Sequence, residues 1–421
     1  MKTSPQHLTT DVCIVGAGPG GCSSALHLSY LGIPTVLIDR ASFPRDKICG
    51  DALSGKVPTV LNRLDPAILR RFKQIAHGQT DVWGIQFVAP NGREVNVPFK
   101  SNFDKEAEPS PGYVSKRVVF DNFLVEEVQR RDNIDLHLET NIQDYERTEN
   151  GYRVTSKDGS LVVDCRLLLD ASGANSRFSR HHAGLEKDNA HHAGAVRAYY
   201  RNVKGMHHDN FIELHFLKEL APGYFWIFPL PNNQANVGLG LRTDYISKRK
   251  LNLKQTLLDL LATHPKLKGR FDEAELISKI VGFPLPLGSK KRVLSGDNYL
   301  LVGDSGHLID PLTGEGIGNA LYAGYIAAEL AEKCLAENDF SAERLRAYDV
   351  RVARVIGQEM RLSYRMQQML RYPWLANTLG NIIGSNMGVI DALSHMYNDL
   401  DLRKQVVNPA FWVKQLFAKR A

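Results

Sequence analysis

The sequence predicts an α/β protein: a Rossmann-type dinucleotide-binding domain, interrupted twice by an antiparallel-sheet domain and followed by a helical C-terminal extension. Three observations predict it. "DVCIVGAGPGG" is an apolar run ending in spaced glycines, and it is followed by the helical "CSSALHLSYLG" and the buried-strand run "PTVLID". The order of strand, Gly-rich loop and long helix returns in "DNYLLVGDSGHLIDPLTGEGIGNALYAGYIAAELA" (297–331). Between them, residues 190 to 287 hold short β-like runs rich in aromatics.

The elements follow in order. Gly16, Gly18 and Gly21 form G-x-G-x-x-G between a strand and a helix. The first allows a tight turn, the second lets a pyrophosphate approach the backbone, and the third lets helix and strand pack closely. The free N–H groups of the helix N-terminus then face the phosphate charge. Asp39 closes the second strand, where an acid accepts hydrogen bonds from ribose hydroxyls. Residues 81 to 99, "DVWGIQFVAPNGREVNVPF", read as two extended runs joined by Asn91-Gly92, a hairpin signal. "SKRVVFDNFLVEEVQRR" (115–131) reads as a helix, and "GYRVTSKDGSLVVDCRLLLDASG" (151–173) as a hairpin leading into a strand. The expected nucleotide domain comprises 1–80, 113–185 and 290–335. The inserted domain comprises 81–112 and 186–289, and 336–421 is helical.

At 421 residues, with 43% hydrophobic and 23% charged residues, the chain can bury a large core. Its five cysteines (Cys13, Cys22, Cys49, Cys165 and Cys334) are scattered. They imply neither a disulfide framework nor a metal site, and they favour a reducing compartment such as the cytoplasm. The N-terminus lacks the apolar core of a signal peptide, and no apolar run is long enough to span a bilayer. "YPWLANTLGNIIGSNMGVI" (372–390) reads as a buried or interface-lying helical segment.

The net charge is +6, and most of the excess sits after Asp401, in Arg403, Lys404, Lys414, Lys419 and Arg420. There "NPAFWVKQLFAKRA" forms a short basic amphipathic helix. Such a helix suits the inner surface of a membrane as a peripheral contact. Docking on the protein body by the same apolar face is the equal alternative. No nucleic-acid partner is expected.

Several ordered motifs give the chain a resemblance to FAD enzymes of the aromatic-hydroxylase type, and within them to the geranylgeranyl reductase family. The motifs are "KRVVFDNFL", "LLLDASGANSRFSR", "LLVGDSGHLIDPLTGEGIGNAL", "GYFWIFPLPNNQANVGLG" and "PRDKICG". The resemblance implies FAD held by Arg40 and Arg117, by Asp170 and Gly173, and by Gly303 and Asp304. It adds Pro311, Gly314, Gly316 and Ile317 to that set, beside the glycine fingerprint and Asp39. It further implies an isoprenoid lipid or other apolar substrate against Tyr224, Trp226, Phe228, Pro229, Gly238 and Gly240. Electrons would come from NAD(P)H or ferredoxin.

Two physical readings stand beside the resemblance. The loop at 313–318 leads into a long helix, whose converging N–H groups would stabilise negative charge on a reduced flavin; Glu315 there reads as a first-turn helix acid. In a strand, residues 224, 226 and 228 share a face, so three aromatics either wall a pocket or fill a core.

The loop "FPRDKICGD" (43–51) places Cys49 and Lys47 as the catalytic candidates. Cations at Lys47 and Arg45 would lower the thiol pKa, with Asp46 and Asp51 opposing them. The thiol either supplies the proton that complements a hydride or packs as a small residue. The expected reaction is reduction of prenyl C=C bonds. The alternative is a flavin-dependent monooxygenase or halogenase acting on an aromatic substrate.

Overall fold

The computed structural model describes residues 5–75, 77–100, 102–386 and 390. The proposed basic helix at 408–421 lies outside the described residues. Strand Gln6–Val15 lies at the heart of an eight-stranded sheet, parallel to Thr35–Ile38 on one side and to Leu161–Asp170 on the other. Ile134–His137 and Tyr299–Leu301 extend the parallel part outward. Strands buried on both faces need continuous apolar runs, and "VCIV", "TVLI" and "LLL" supply them.

Helix Pro19–Tyr30 follows the glycine turn directly, with Pro19 in the first helical turn. Its partner across the sheet face is the long helix Ile317–Glu337. The two approach closely because both are glycine-bearing: a Cβ on Gly324 would collide with the Gly20 carbonyl. Ser23 Oγ donates to the Leu321 carbonyl at 2.8 Å and fixes the contact. Below them, helix Arg117–Gln129 contributes Phe120 and Leu124 to a core shared with Leu37, Leu169 and Leu321.

A second sheet runs in the order Glu275–Leu276, His192–Arg201, Gln234–Arg242, Tyr224–Leu230, Ile212–His215, Gly84–Val88, Glu94–Pro98, with Val281–Pro286 added to His192–Arg201. Its pairs are antiparallel except one, since Ile212–His215 meets Gly84–Val88 in parallel. The chain leaves this sheet after the hairpin, at Pro98, and returns to it at His192. The hairpin at Asn91-Gly92 forms as expected, with Gly92 at φ +80°. Residues 79–82, however, belong to a third sheet, Ala52–Leu53, Gly112–Ser115 and Gln79–Val82, that holds the loop after Cys49 in place.

The C-terminal region continues as helices Ala342–Val355, Gly357–Met369 and Pro373–Gly384. The last lies along the outermost strand Glu94–Pro98, with Asn377 Oδ1 accepting from the Asn91 N–H at 2.8 Å. Among the described residues no helix is long and apolar enough to cross a membrane.

Candidate active site

A cavity of about 920 Å³ lies between the two large sheets and is closed on one side by helix Gly357–Met369. Its volume is at the upper end of the range for small-molecule sites. Pro19 and Gly20 line it from the fingerprint turn, and Gly314, Glu315, Gly316 and Ile317 from the late loop. Two helix N-termini therefore open onto one space. Neither has a side-chain hydrogen bond at its N-cap residue, Gly18 or Gly316. Their first-turn N–H groups and the positive ends of their dipoles suit an anionic ligand.

The glycines explain why the backbone can come so near. Gly16 has φ +108°, and a Cβ there would strike the Ala171 carbonyl; a Cβ on Gly21 would strike Gly16 itself. Gly173 lines the cavity at φ +88°, and a Cβ on it would meet nothing within 4 Å. This is an open cradle where a flat, phosphate-bearing group can lie against bare backbone, and the residues present fit FAD.

Asp39 Oδ2 accepts the Ala17 N–H at 2.7 Å and Oδ1 the Ala41 N–H at 2.8 Å, so the carboxylate shapes the fingerprint turn. Asp39, the exposed Arg40, Gly16, Gly18 and Gly21 all stand outside the cavity lining. Arg117 lines the cavity and is buried, held by Asp121 through two 2.6 Å bonds from Nε and Nη2.

Gly303, at φ +69°, Asp304 and Pro311 reach the cavity too. Asp170 does not. Its carboxylate is fully buried and accepts Ser172 Oγ and Ser176 Oγ at 2.5 Å, so it positions the Gly173 loop. Glu315 Oε1 accepts the Gly318 N–H at 2.7 Å, the behaviour of a first-turn acid.

Tyr224, Trp226 and Phe228 line the cavity from one face of strand Tyr224–Leu230, with Trp226 and Phe228 stacked at 6.0 Å between ring centres. The alternation of the strand turns Pro229 away from that face, and Pro229 is absent from the lining. Gly238 is absent as well. A Cβ there would run into the Trp226 ring, so the glycine makes room for the indole; Gly240 does reach the cavity. The strand partner Asn236 fixes the indole by accepting its Nε1–H at 2.9 Å.

Cys49 lies half-buried in the cavity wall. Burial pushes its thiol pKa up, against the opposing pull of Arg117 and a smaller one from Lys47. The net lowering expected from Lys47 and Arg45 does not result, because burial outweighs it. Lys47 Nζ is held by Asp304 Oδ2 at 3.2 Å, and Arg45 is bound to Asp121 at 2.8 Å. Each cation is paired with a carboxylate instead of standing free beside the thiol. Gly50 allows Phe228 in: a Cβ there would lie 3.1 Å from the ring.

Sequence reasoning missed the group behind this loop. Asp51, at φ +69° and fully buried, accepts Tyr199 O–H at 2.7 Å and Asn236 Nδ2–H at 2.8 Å through Oδ2, while Oδ1 has no hydrogen-bond partner among the described residues. Burial pushes its pKa up to about 6, despite hydrogen bonds from Asn236 and Tyr199. Asn236 also donates to the Cys49 carbonyl at 2.8 Å, linking the aromatic wall to the thiol loop. The only available signal was Asp51 itself, which closes the quoted loop. Lys56 was missed as well: its Nζ reaches Glu359 at 2.9 Å, Glu315 at 3.3 Å and Asn319 at 2.7 Å, tying the C-terminal wall to the late glycine loop.

Comparison with known proteins agrees with this geometry. The family described as "FAD binding domain" matches residues 9–361. A digeranylgeranylglycerophospholipid reductase of Methanococcus vannielii is 30% identical over 346 residues, 81% of each chain. A menaquinone reductase of Mycolicibacterium smegmatis is 29% identical over 328 residues, 76% of each. The crystal structure of a geranylgeranyl bacteriochlorophyll reductase-like protein from Thermoplasma acidophilum superposes with a TM-score of 0.81. That likeness covers 98% of this chain and 99% of the other at 23% identity, and it concerns the fold. With a matching FAD-binding family, reductases as relatives and a cradle of bare backbone at two helix N-termini, the chain is an FAD-dependent oxidoreductase and belongs to the geranylgeranyl reductase family.

Proposed function

We propose that this protein reduces carbon–carbon double bonds in the isoprenoid chain of a prenyl lipid. The observation that carries the proposal is the wall of Tyr224, Trp226 and Phe228, which continues through Leu214, Leu285 and Leu287 across the cavity. A long apolar chain gains roughly 25 cal/mol for each Å² it buries there. Relatives named for a digeranylgeranylglycerophospholipid and for menaquinone, both prenyl lipids, support the same class.

When bound and reduced, the flavin would supply the hydride that goes to one carbon of the double bond. The glycine turn, the 303–304 pair and the loop 311–317 would hold it, with Arg117 and Gly173 beside it. Residues 1–80, 113–185 and 290–335 form the FAD-binding part in this reading, and 81–112 with 186–289 form the substrate part. The apolar wall excludes water from the reacting carbons. Cys49, with its proton retained by burial, is positioned to supply the second hydrogen as a proton. Lys47, locked to Asp304, orders the loop that presents the thiol. Electrons reach the site from NAD(P)H or a ferredoxin. The setting is a reducing cytoplasm with peripheral contact to the membrane that supplies the lipid.

The test is anaerobic turnover with dithionite-reduced enzyme and a geranylgeranyl lipid, read by mass spectrometry. A product heavier by whole multiples of two hydrogens supports the reading. Substrate returned unchanged, together with oxygen uptake under NAD(P)H that depends on an aromatic compound in a separate aerobic assay, would replace it with a monooxygenase.

A further inference from the structure

Helix Gly357–Met369 has two faces with opposite business. The inner face carries Glu359, Leu362, Ser363, Met366 and Gln367 into the cavity wall. Four-residue spacing places Arg361, Arg365 and Met369 on the outer side, all exposed. The chain then turns through the exposed Arg371, and Tyr372 and Trp374 stand 52% and 66% exposed at the start of the next helix.

Singly exposed apolar residues are common and need no explanation. This patch differs in its charge. From residue 360 to 390 the sequence has no Asp or Glu, and its three arginines are Arg361, Arg365 and Arg371. Among the described residues no carboxylate lies in ion-pair range of any of them. The helix below is meanwhile pinned from inside: Gln367 Nε2 donates to the Pro311 carbonyl, and Glu359 meets Lys56. The aromatics therefore point outward from an anchored support.

We propose that this outer face, Arg361, Arg365, Met369, Arg371, Tyr372 and Trp374, docks on the surface of an anionic lipid bilayer. Trp and Tyr side chains favour the headgroup level of a membrane, and unpaired arginines favour anionic headgroups. Continuity with the site supports that partner over a protein: the cavity wall and the docking face are two sides of one helix. Arg63 and Arg354, exposed residues that also line the cavity, mark its mouth close to this helix. The reason for such an arrangement rests on the prenyl-lipid reading, since a substrate dissolved in a bilayer must pass from it to the cavity.

The experiment is co-sedimentation of the full chain with phosphatidylglycerol/phosphatidylcholine vesicles and with pure phosphatidylcholine vesicles, at low and high salt. Wild type is expected to bind the anionic vesicles, and salt is expected to release it. Each arginine near the surface is worth roughly fivefold in partitioning, so R361E/R365E/R371E should bind at least roughly 100-fold more weakly. It should keep wild-type flavin content, melting temperature and turnover of detergent-dispersed substrate. K414E/K419E/R420E, which alters the far C-terminal charges, should bind as wild type does. The proposal is overturned if the arginine variant binds like wild type, if wild type ignores anionic vesicles, or if the K414E/K419E/R420E substitutions alone abolish binding. Vesicle binding without turnover of any prenyl lipid would sink the functional reading and leave this one standing.

Discussion

Tyr199 donates its hydroxyl hydrogen to Asp51 across 2.7 Å, with both side chains buried behind the aromatic wall. The carboxyl so held has its pKa raised from 3.8 to about 6, first by burial. Below the lower value folded and unfolded chains are both protonated, and burial costs no ionisation energy. Between the two values the folded chain keeps a proton that the unfolded chain has lost, so stability falls as pH rises. Above about 6 the penalty is complete, on the order of 3 kcal/mol. Asp51→Asn removes the titration and keeps a residue that tolerates a positive φ. Its melting temperature relative to wild type should be clearly higher at pH 8 than at pH 4.5. An equal difference at both values would show that Asp51 is not the group that titrates.

Gly16 is the fingerprint glycine at which a positive φ, +108°, coincides with a carbonyl in the path of any Cβ. Gly16→Ala must strain the turn or shift strand Leu161–Asp170 beside it. Flavin affinity should fall roughly tenfold or more, at about 1.4 kcal/mol per decade. Yellow flavin absorbance retained through gel filtration is the measurement. Wild-type retention would mean that the turn is not part of the cofactor grip.

How far the sequence spoke for the site depended on how local each signal was. Gly16, Gly18 and Gly21 lie within six residues, and Tyr224, Trp226 and Phe228 alternate along one strand, so spacing alone could state their geometry. Asp51, Tyr199 and Asn236 meet from 148 and 185 residues apart, and no pattern announces a contact between sheets. Asp170 is the opposite case: it ends its strand beside the Gly173 turn, and Ser172 and Ser176 satisfy its carboxylate from close by in the sequence. The charges around Cys49 were readable as a list and unreadable as pairs. Only the fold decides that Lys47 faces Asp304 and Arg45 faces Asp121.

Cys49→Ala tests the proton. The variant should bind flavin as wild type does, because the half-buried thiol fills little volume. Its turnover should fall by roughly 10² or more if the thiol supplies the proton. Cys49→Ser, with a hydroxyl in place of the thiol, should recover part of the loss. Turnover of Cys49→Ala at the wild-type rate would reduce the residue to packing.

Lys56 joins the cavity's C-terminal wall to the loop that precedes helix Ile317–Glu337. Coulombic attraction to Glu315 and Glu359 outweighs the burial that works against its charge, and holds its pKa above the ordinary lysine value. Lys56→Gln leaves Glu315 and Glu359 close together without their shared cation. Breaking a buried pair costs about 3–5 kcal/mol; these side chains are 14% to 20% exposed, so a loss of roughly 1–3 kcal/mol is expected. The wall should also loosen, raising KM for the lipid more than it lowers kcat. Adding Glu359→Gln removes one of the two stranded charges, so K56Q/E359Q should be more stable than K56Q alone. Urea unfolding of wild type, both single variants and the double variant gives the coupling energy directly. Strict additivity of the two single effects would mean that the 2.9 Å contact does not join helix and loop.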